Sequence, residues 1–347
     1  MTPTRLLTPL IALLCCMTHF AVAAGETPDE VKRQTVSLIP TVRATVRARF
    51  EASTVESLYR FQVRNARISI GGKIIPQIEY FVNTDFCDRG KIKFLDAWAR
   101  AYITGGLDLR GGQFRMPFGV DIHRGPDNYY FSNRSFIGRQ MANFRAVGAE
   151  LRYSFKTAPV TLQAGAFNPS TIGDHTPWNS SLSYSAKATW RVGAVTLAAG
   201  FMSIEPDSVR ANLIDGAVAW HSGRWRIEGE YVRKHYTGDA HRPCHGWNIF
   251  GDYAMPVRAG YFNQLSVQAR FDGMTAHSDC RRDENRLLVT NDPRRTRITA
   301  GLTLSCLRPA GRHFDIRANY EKYFYADDVT VTPDMGDKLV IEMILRF

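Results

Sequence analysis

The arginines of this 347-residue chain are the residues whose type and spacing most clearly indicate a chemistry, namely the binding of oxyanions. In the segment 41–51, Arg43, Arg47 and Arg49 occupy odd-numbered positions, whereas the even-numbered positions are Val, Ala, Val, Ala and Phe. A guanidinium group is planar and presents five N–H donors, which suits it to carboxylates, phosphates and other oxyanions. The spacing therefore predicts a row of oxyanion-binding groups on one face of an extended strand.

Residues 1–24 are typical of a removable export signal. Arg5 is followed by an apolar run, and Ala21-Val22-Ala23 has the small-x-small pattern of a signal-peptidase site. We assign residues 1–24 to a signal peptide and residues 25–40 to a periplasmic N-terminal segment. After cleavage no run of 18 apolar residues remains, so the sequence predicts no membrane-spanning helix.

Residues 41–347 alternate between apolar and polar positions with a period of two, and helical periodicity is rare. A charge on the lipid face near the bilayer midplane costs about 2–4 kcal/mol, so Arg43, Arg47 and Arg49 are expected to face a lumen, with Val42 and Val46 facing lipid. About sixteen strands are predicted in this way: 41–51, 59–70, 77–86, 94–103, 107–114, 145–155, 159–167, 183–192, 194–204, 211–221, 224–234, 246–254, 262–272, 296–306, 313–323 and 338–347.

The lengths of the connections carry independent information. Short connections alternate with long ones, and the last strand ends on the aromatic residue Phe347. Short turns at one rim, long loops at the other and a terminal aromatic residue are typical of an outer-membrane β-barrel with both termini in the periplasm. The long loops are predicted near 115–144, 168–182, 235–245, 273–295 and 324–337.

The longest of these loops, residues 115–144, combines Arg115, Arg134 and Arg139 with several aromatic residues. A barrel of 16 strands leaves an aqueous channel. The predicted fold is therefore an all-β, transmembrane antiparallel barrel of about 16 strands whose long third loop folds into the pore.

The basic side chains on inward faces and on this loop are the candidate binding residues. A positive potential in a narrow passage concentrates anions and excludes cations, although a polar interior of mixed charge is the alternative. A change of phase near Asn65 predicts a bulge in the second strand and leaves open whether Arg64 or Arg67 faces inward. We expect Arg47 and Arg134 to lie outside any core, so that reversing their charges costs little stability. The candidate pore-lining, anion-binding residues are Arg43, Arg47, Arg49, Arg110, Arg115, Arg134, Arg139, Arg152, Lys187 and Arg270.

Inward-facing carboxylates could form an acid–base pair or could offset the arginines of the lumen. No nucleophile elbow, zinc motif, phosphate loop or dinucleotide fingerprint occurs in the sequence. We therefore assign no catalytic residue, metal ligand or cofactor, and expect the protein not to be an enzyme. The carboxylates in question are Glu79, Asp85, Asp96, Glu150, Glu228 and Glu230.

Residues 60–155 resemble the phosphate-selective porin O and P family. The similarity is carried by 63–68 (Val-Arg-Asn-Ala-Arg-Ile), 94–98 (Phe-Leu-Asp-Ala-Trp) and above all 112–119 (Gly-Gln-Phe-Arg-Met-Pro-Phe-Gly). Weaker matches follow at 165–168, 230–231 and 269–272. The resemblance implies a trimeric barrel of 16 strands with an inward-folded third loop and an arginine-lined path for anions.

The sequence thus predicts an outer-membrane porin for passive diffusion of small hydrophilic solutes, with a preference for anions that could extend to phosphate. The alternatives are an outer-membrane barrel enzyme and an adhesin or receptor that acts through its extracellular loops. The expected partners are small anions or other small hydrophilic solutes, outer-membrane lipid and lipopolysaccharide, the barrel-assembly machinery and two further copies of the chain. No nucleic-acid partner is expected.

Overall fold

The computed structural model describes residues 40–88, 90–169, 177–207, 209–326 and 329–347, so the predicted signal peptide lies outside the described residues. Within these ranges the chain forms sixteen strands. They are β1 (Thr41–Ser53), β2 (Tyr59–Ile75), β3 (Ile78–Asp88), β4 (Lys91–Thr104), β5 (Leu107–Arg115), β6 (Arg145–Ser154), β7 (Val160–Phe167), β8 (Ser183–Val192), β9 (Val195–Ile204), β10 (Ala211–Ser222), β11 (Trp225–Tyr236), β12 (Cys244–Ala259), β13 (Phe262–Met274), β14 (Arg295–Leu307), β15 (His313–Tyr325) and β16 (Lys338–Arg346).

The strands form one closed antiparallel barrel, in which each pairs with its neighbours in the sequence. β1 and β16 close the ring, with Arg49 opposite Glu342 and Thr45 opposite Arg346. Closure leaves no strand edge unpaired, which satisfies the backbone hydrogen-bonding groups inside a membrane. The predicted fold class of an antiparallel barrel with sixteen strands is confirmed.

The two faces of β1 are divided as the alternation predicts. Val42 and Val46 are 57% and 40% exposed on the outside, whereas Arg47 and Arg49 are only 2% and 4% exposed and point inward. Similar exposed apolar side chains recur around the outer surface, among them Ile214, Ile249 and Leu302. An apolar band of this kind is what a barrel in lipid requires.

Two strands extend several residues beyond their predicted ends. β2 was expected to end at residue 70 and continues to Ile75, and β12 was expected to end at 254 and continues to Ala259. The predicted strand ranges leave residues 71–76 as a short connection, but Gly71 and Gly72 remain paired, opposite Phe81 and Tyr80. A Cβ atom on Gly71 would lie 3.0 Å from the Phe81 ring, so here glycine makes room for aromatic rings on the neighbouring strand.

The bulge predicted in β2 is present. Arg47 pairs with Asn65 while the next residue, Ala48, pairs with Val63, which leaves Arg64 as the extra residue. An extra residue shifts the alternation of all that follows it. Arg64 and Arg67 therefore need not lie on opposite faces.

The connections sort onto two rims because successive strands run in opposite directions. One rim, which we call the short-turn rim, carries connections such as 76–77, 105–106, 193–194 and 223–224. The other, the long-loop rim, carries 116–144, 168–182, 237–243, 275–294 and 326–337. No helix in the part of the chain described is long and apolar enough to cross a membrane.

Deleting Phe347 should lower the yield of folded barrel. Its backbone N–H donates to the Ala44 carbonyl (3.1 Å), and its own carbonyl accepts from the Ala44 N–H (2.8 Å), so the deletion removes two hydrogen bonds from the closing seam. Its ring is 60% exposed, as expected for an aromatic residue at the membrane interface. The measurement is the fraction of heat-modifiable protein in isolated outer membranes. Phe347→Tyr, which keeps the aromatic ring, is the control, and an unchanged yield on deletion would show that the residue is dispensable.

Candidate functional site

The segment that connects β5 to β6, residues 116–144, contacts inward-facing side chains of distant strands. The Arg134 carbonyl accepts from Arg297 Nη2 on β14 (2.7 Å), and the Asn133 carbonyl accepts from Arg270 Nη1 on β13 (2.8 Å). The Phe136 N–H donates to Asp272 Oδ2 on β13 (3.0 Å). We call this stretch the inner segment, and its backbone is held by the interior wall of the barrel.

Apolar side chains pack the inner segment against the same wall. Phe118, Ile122, Ile137 and Met141 are all buried and belong to one hydrophobic cluster. A Cβ atom added to Gly246 on β12 would lie 2.4 Å from Met141 Sδ, so the absence of a side chain there lets the segment approach. The cluster includes residues of β5 to β7, β9 to β13 and β15, so the inner segment packs against much of the interior wall.

Arg47 and Arg49 hold the inner segment in place. Each guanidinium group donates from Nη2 to the Ser132 carbonyl (2.8 Å in both cases) and pairs with Glu342 Oε1 (2.6 and 2.8 Å). Arg270 behaves similarly, since it bonds the Asn133 carbonyl and lies 3.5 Å from Asp272. Our expectation that Arg47 lies outside any core is therefore wrong: alternation shows which face a side chain is on, but not what packs against that face.

The other candidates on the barrel wall are distributed along the lumen. Arg110 pairs with Glu150 (2.6 Å), and Arg152 pairs with Asp108 (2.7 Å). Lys187 donates to the Gly119 carbonyl of the inner segment, and Arg43 is exposed near the short-turn rim.

Of the two roles open to the inward carboxylates, the observed contacts are those of charge compensation. Glu79 lies 3.5 Å from Arg100, and Asp85, Asp96, Glu150 and Glu228 also pair with arginines. Glu230 instead accepts from the backbone N–H groups of Val120 and Asp121 (2.6 and 3.1 Å), which anchors the inner segment to β11.

Arg115, Arg134 and Arg139 lie together on a cavity of about 1230 Å³ between the inner segment and strands β1 to β6. We call it the outer cavity, because Asp88, Lys91 and Lys93 place it toward the long-loop rim. Asp88 is the sole carboxylate among its described lining residues. Its basic lining residues are Arg47, Arg64, Arg67, Lys91, Lys93, Arg115, Arg134, Arg139 and Arg145.

Some of these cations have carboxylate partners and others do not. Arg64 and Lys93 share Asp88, Arg67 pairs with Asp85 (2.8 Å), and Arg145 pairs with Asp96 (3.0 Å). Arg47 pairs with Glu342. For the four remaining lining cations, no carboxylate among the described residues lies within ion-pair distance. These four are Lys91, Arg115, Arg134 and Arg139.

A second cavity, of about 900 Å³, lies toward the short-turn rim. We call it the inner cavity, and its lining includes Arg224, Arg226, Asp252 and Asp315. Of the described residues, Tyr129 alone lines both cavities.

The Tyr129 ring is held between two guanidinium groups. The centre of the Arg47 guanidinium lies 5.0 Å from the ring centroid and that of Arg134 lies 4.8 Å from it, which are cation–π distances. The Tyr129 hydroxyl accepts from Arg134 Nε. Burial alone raises the pKa of this hydroxyl, but the positive charges of Arg134 and Arg115 outweigh burial and lower the pKa below its ordinary value.

Sequence reasoning missed several of these lining residues. Both Arg64 and Arg67 line the outer cavity, because the bulge at Arg64 changes the phase between them. Lys91 and Lys93 were missed because the fourth strand was predicted to begin at residue 94, whereas β4 begins at Lys91. Arg145, the first residue of β6, was missed because it lies seven positions from the inward-facing Arg152, and alternation assigns residues an odd number of positions apart to opposite faces. In the described part of the chain no cluster of His, Cys, Asp and Glu is arranged to hold a metal ion.

Comparison with known proteins agrees with this geometry. The family model described as phosphate-selective porin O and P matches residues 42–209. Similar solved structures include an anion-selective porin from Comamonas acidovorans, with a TM-score of 0.61, 12% identity and coverage of 89% of this chain and 98% of that chain. No curated protein sequence matched the chain.

Two further similar structures are OmpF of Salmonella typhi in complex with daunomycin and the trimer form of OmpT, an outer membrane protein of Vibrio cholerae. The first has a TM-score of 0.61 at 12% identity and covers 89% of this chain and 97% of that chain. The second has a TM-score of 0.60 at 10% identity and covers 89% and 99%. At such identities the likeness concerns the fold alone.

Arg47→Ala should destabilise the barrel by about 3 kcal/mol, near the lower end of the cost of breaking a buried ion pair by removing one partner. The lower end applies because Glu342 keeps Arg49 and Arg317 as neighbours. The free energy of unfolding can be measured by denaturant titration of the refolded protein in detergent or lipid.

Arg43→Ala is the matched control for this prediction. It removes the same side chain from the same strand, but Arg43 is exposed and makes no ion pair with any described residue. Its effect should stay within about 0.5 kcal/mol. Equal effects of the two substitutions would mean that the ion pair between Arg47 and Glu342 does not stabilise the barrel.

Proposed function

We propose that this chain prefers anions among the small hydrophilic solutes that it passes, in keeping with the match of residues 42–209 to the model of the phosphate-selective porin O and P family. The protein is an outer-membrane porin: the family match and a closed barrel of 16 strands similar to solved porins support that function. Diffusion through it is passive, and the inner segment narrows the passage by lying against the interior wall. Both termini are periplasmic, and the long-loop rim is extracellular.

One observation carries the anion preference. Arg115, Arg134 and Arg139 line the outer cavity without a carboxylate partner among the described residues, so their charges are available to a passing solute. Two unit charges 4 Å apart interact by about 1 kcal/mol in water and by about 4 kcal/mol at an effective dielectric constant of about 20. A narrow passage with low-dielectric walls lies between these limits, so anions are concentrated and cations are repelled.

The remaining arginines of the wall contribute less to this preference. Arg100 lies within ion-pair distance of Glu79 and Asp108, Arg110 pairs with Glu150, and Arg152 pairs with Asp108. These groups present little net charge to a solute. Anion selectivity is therefore concentrated at the inner segment and at the part of the barrel wall that lines the outer cavity. Of the ten candidate binding residues, we assign direct contact with solute to Arg115, Arg134 and Arg139, and we assign a supporting role to Arg47, Arg49, Arg270 and Lys187.

Guanidinium groups bind oxyanions in general, and phosphate is one member of that class. The outer cavity is wide enough for larger organic anions as well, at about 1230 Å³. We propose a general preference for oxyanions, including phosphate, rather than a site restricted to phosphate.

Two other functions can be distinguished from a porin by direct assays. A barrel enzyme would release lipid or peptide products, and we propose that this protein acts as a channel without catalysis. An adhesin or receptor would depend on loops such as 237–243 and 275–294 and need not conduct ions. Conductance in planar bilayers separates a porin from that alternative.

We further propose that the chain is exported by its signal peptide, residues 1–24, and inserted by the barrel-assembly machinery. In the outer membrane it would contact lipid and lipopolysaccharide and form a homotrimer. The trimer form of the similar Vibrio cholerae OmpT structure supports that assembly.

Arg139→Glu should shift the reversal potential in a salt gradient toward cations. Its side chain is exposed to the outer cavity, so the change replaces an unpaired positive charge with a negative one. An interaction of about 1 kcal/mol corresponds to about a fivefold lower anion-to-cation permeability ratio. The measurement is single-channel recording with potassium chloride at two concentrations.

Arg281→Glu serves as the control for this experiment. Arg281 is exposed in the loop between β13 and β14 and does not line either cavity, so its reversal should leave the permeability ratio unchanged. A wild-type channel that already prefers cations would refute the proposed anion preference.

A further inference from the structure

We propose that the outer surface of β11 and β12 carries a binding site for a phosphorylated glycolipid of the outer leaflet, lipopolysaccharide, with Arg233 and His245 as the donors to its phosphate. The proposal rests on the proposed location in the outer membrane with the long-loop rim outside, and it names where the chain holds that lipid. Three observations carry it: the order of the outward side chains, the unpaired charge of Arg233 and a shallow surface beside it.

The outward side chains of β11 and β12 change in character from one rim to the other. From the short-turn rim onward, the facing pairs are first aromatic, then twice an isoleucine with a glycine, then again aromatic and finally basic. Aromatic residues mark the two interfaces of a membrane, so the basic pair lies at the level of the head groups on the long-loop side. In order, the pairs are Trp225 with Tyr253, Ile227 with Gly251, Gly229 with Ile249, Tyr231 with Trp247, and Arg233 with His245.

Arg233 is an exposed cation whose side chain has no partner among the described residues. Its neighbours Val232 and Lys234 are 0% and 1% exposed, so alternation directs Arg233 away from the lumen. Lys322 also faces outward near the long-loop rim, but it pairs with Asp337. A charge on the lipid face is costly near the midplane and is tolerated near the interfaces, where it can meet an anionic head group. The guanidinium group of Arg233 is therefore free to bind such a head group.

His245 adds a second donor beside Arg233. Facing residues of antiparallel strands have Cβ atoms about 4.5–5.5 Å apart, so both side chains can contact one phosphate group. Tyr231 Oη lies 2.6 Å from His245 Nδ1. A hydroxyl that donates to Nδ1 leaves the ring proton on Nε2, and that N–H can then donate to a phosphate oxygen. A phosphate monoester offers several oxygen atoms to such a pair of donors.

Glycine residues keep the surface beside this basic pair shallow. Gly216 lies opposite Tyr231, and Gly251 lies in the apolar zone between the two aromatic pairs. A Cβ atom on either glycine would meet no other part of the chain within 4 Å. The Trp247 ring lies over Gly273 of β13, where a Cβ atom would be 2.4 Å from Cζ2. Glycine weakens a strand and often marks a close approach by a ligand, so acyl chains can lie in this depression with their phosphate at the basic pair.

Binding of lipid A with two phosphate groups to the refolded barrel in non-ionic detergent tests the proposal, with native mass spectrometry as the measurement. Arg233→Gln should weaken this binding about tenfold, because it removes a charge-assisted hydrogen bond to the phosphate. Arg233→Lys should recover part of the affinity, since it restores the charge without the planar fork. Dephosphorylated lipid A should bind the wild-type chain as weakly as phosphorylated lipid A binds Arg233→Gln.

Arg258→Gln is the matched control. Arg258 is exposed on β12 near the short-turn rim and pairs with no carboxylate among the described residues, so its replacement should leave the affinity for lipid A unchanged. Single-channel conductance and reversal potential should stay at their wild-type values in every variant, because Arg233 and Arg258 line neither cavity. Those two measurements also establish that each variant has folded.

The outcomes distinguish this proposal from those on which it rests. Equal binding of lipid A to the wild-type chain and to Arg233→Gln would overturn the site and leave the porin function intact. Equal affinity of the wild-type chain for phosphatidylglycerol and lipid A would overturn the assignment to a glycolipid. Dissociation of the trimer in Arg233→Gln, with lipid A still bound, would assign this surface to a contact between copies of the chain.

The orientation of the barrel is tested separately. A peptide tag inserted between Asp283 and Glu284, in an exposed part of the loop between β13 and β14, should be accessible to antibody on intact cells. A tag that becomes accessible only after the outer membrane is broken would place the long-loop rim in the periplasm. Both the proposed orientation and the glycolipid site would then be wrong, whereas the anion preference would still be decided by the reversal potential.

Discussion

The carboxylate of Glu342 is the point on which the closed barrel and its interior both depend. It lies on the last strand, pairs with Arg47 and Arg49 on the first strand and lies 3.5 Å from Arg317 on β15. Both first-strand arginines also bind the Ser132 carbonyl of the inner segment. A buried charge is costly unless it is paired and hydrogen-bonded, so the seam, the strand register and the inner segment must form together.

The arginines of this chain therefore serve two different purposes. Those on β1, β13 and β14, such as Arg47, Arg270 and Arg297, donate to carbonyl groups of the inner segment and pair with buried carboxylates. Those at the outer cavity, Arg115, Arg134 and Arg139, use backbone or phenol oxygens or no described partner, and they leave their charge uncompensated. The same side chain suits both purposes, because five donors in a rigid fork can satisfy carbonyl groups and carboxylates or attract a free anion.

The distribution of carboxylates decides which purpose each arginine serves. Where the wall provides Glu79, Asp108 or Glu150, the interior is close to neutral, and the barrel avoids repulsion among its own cations. Where the wall meets the inner segment, carboxylates are scarce and the net charge is positive. The pore is thus uneven along its axis, and the Tyr129 ring lies where the two regions meet.

Alternation in the sequence was enough to predict sixteen strands and the inward face of β1, because a period of two determines which side of a sheet each residue occupies. The bulge near Asn65 was also visible, as a break in that period. The end of β2 was predicted too early, because residues 71–76 were assigned to a connection, whereas Gly71 and Gly72 continue the strand and Gly71 makes room for the Phe81 ring.

What the sequence by itself determined is therefore the barrel, its order of strands and the basic character of its interior. What only the tertiary structure decided is which arginines are free. The sequence alone does not distinguish Arg47 from Arg139, since both are candidate lumenal arginines. In the structure Arg47 is buried against Glu342, whereas Arg139 is exposed to the outer cavity. The partner of Arg47 lies 295 residues away in the chain, and only closure of the barrel brings the two together. Periodicity is a local property, whereas charge compensation across a closed seam depends on residues that no local pattern relates.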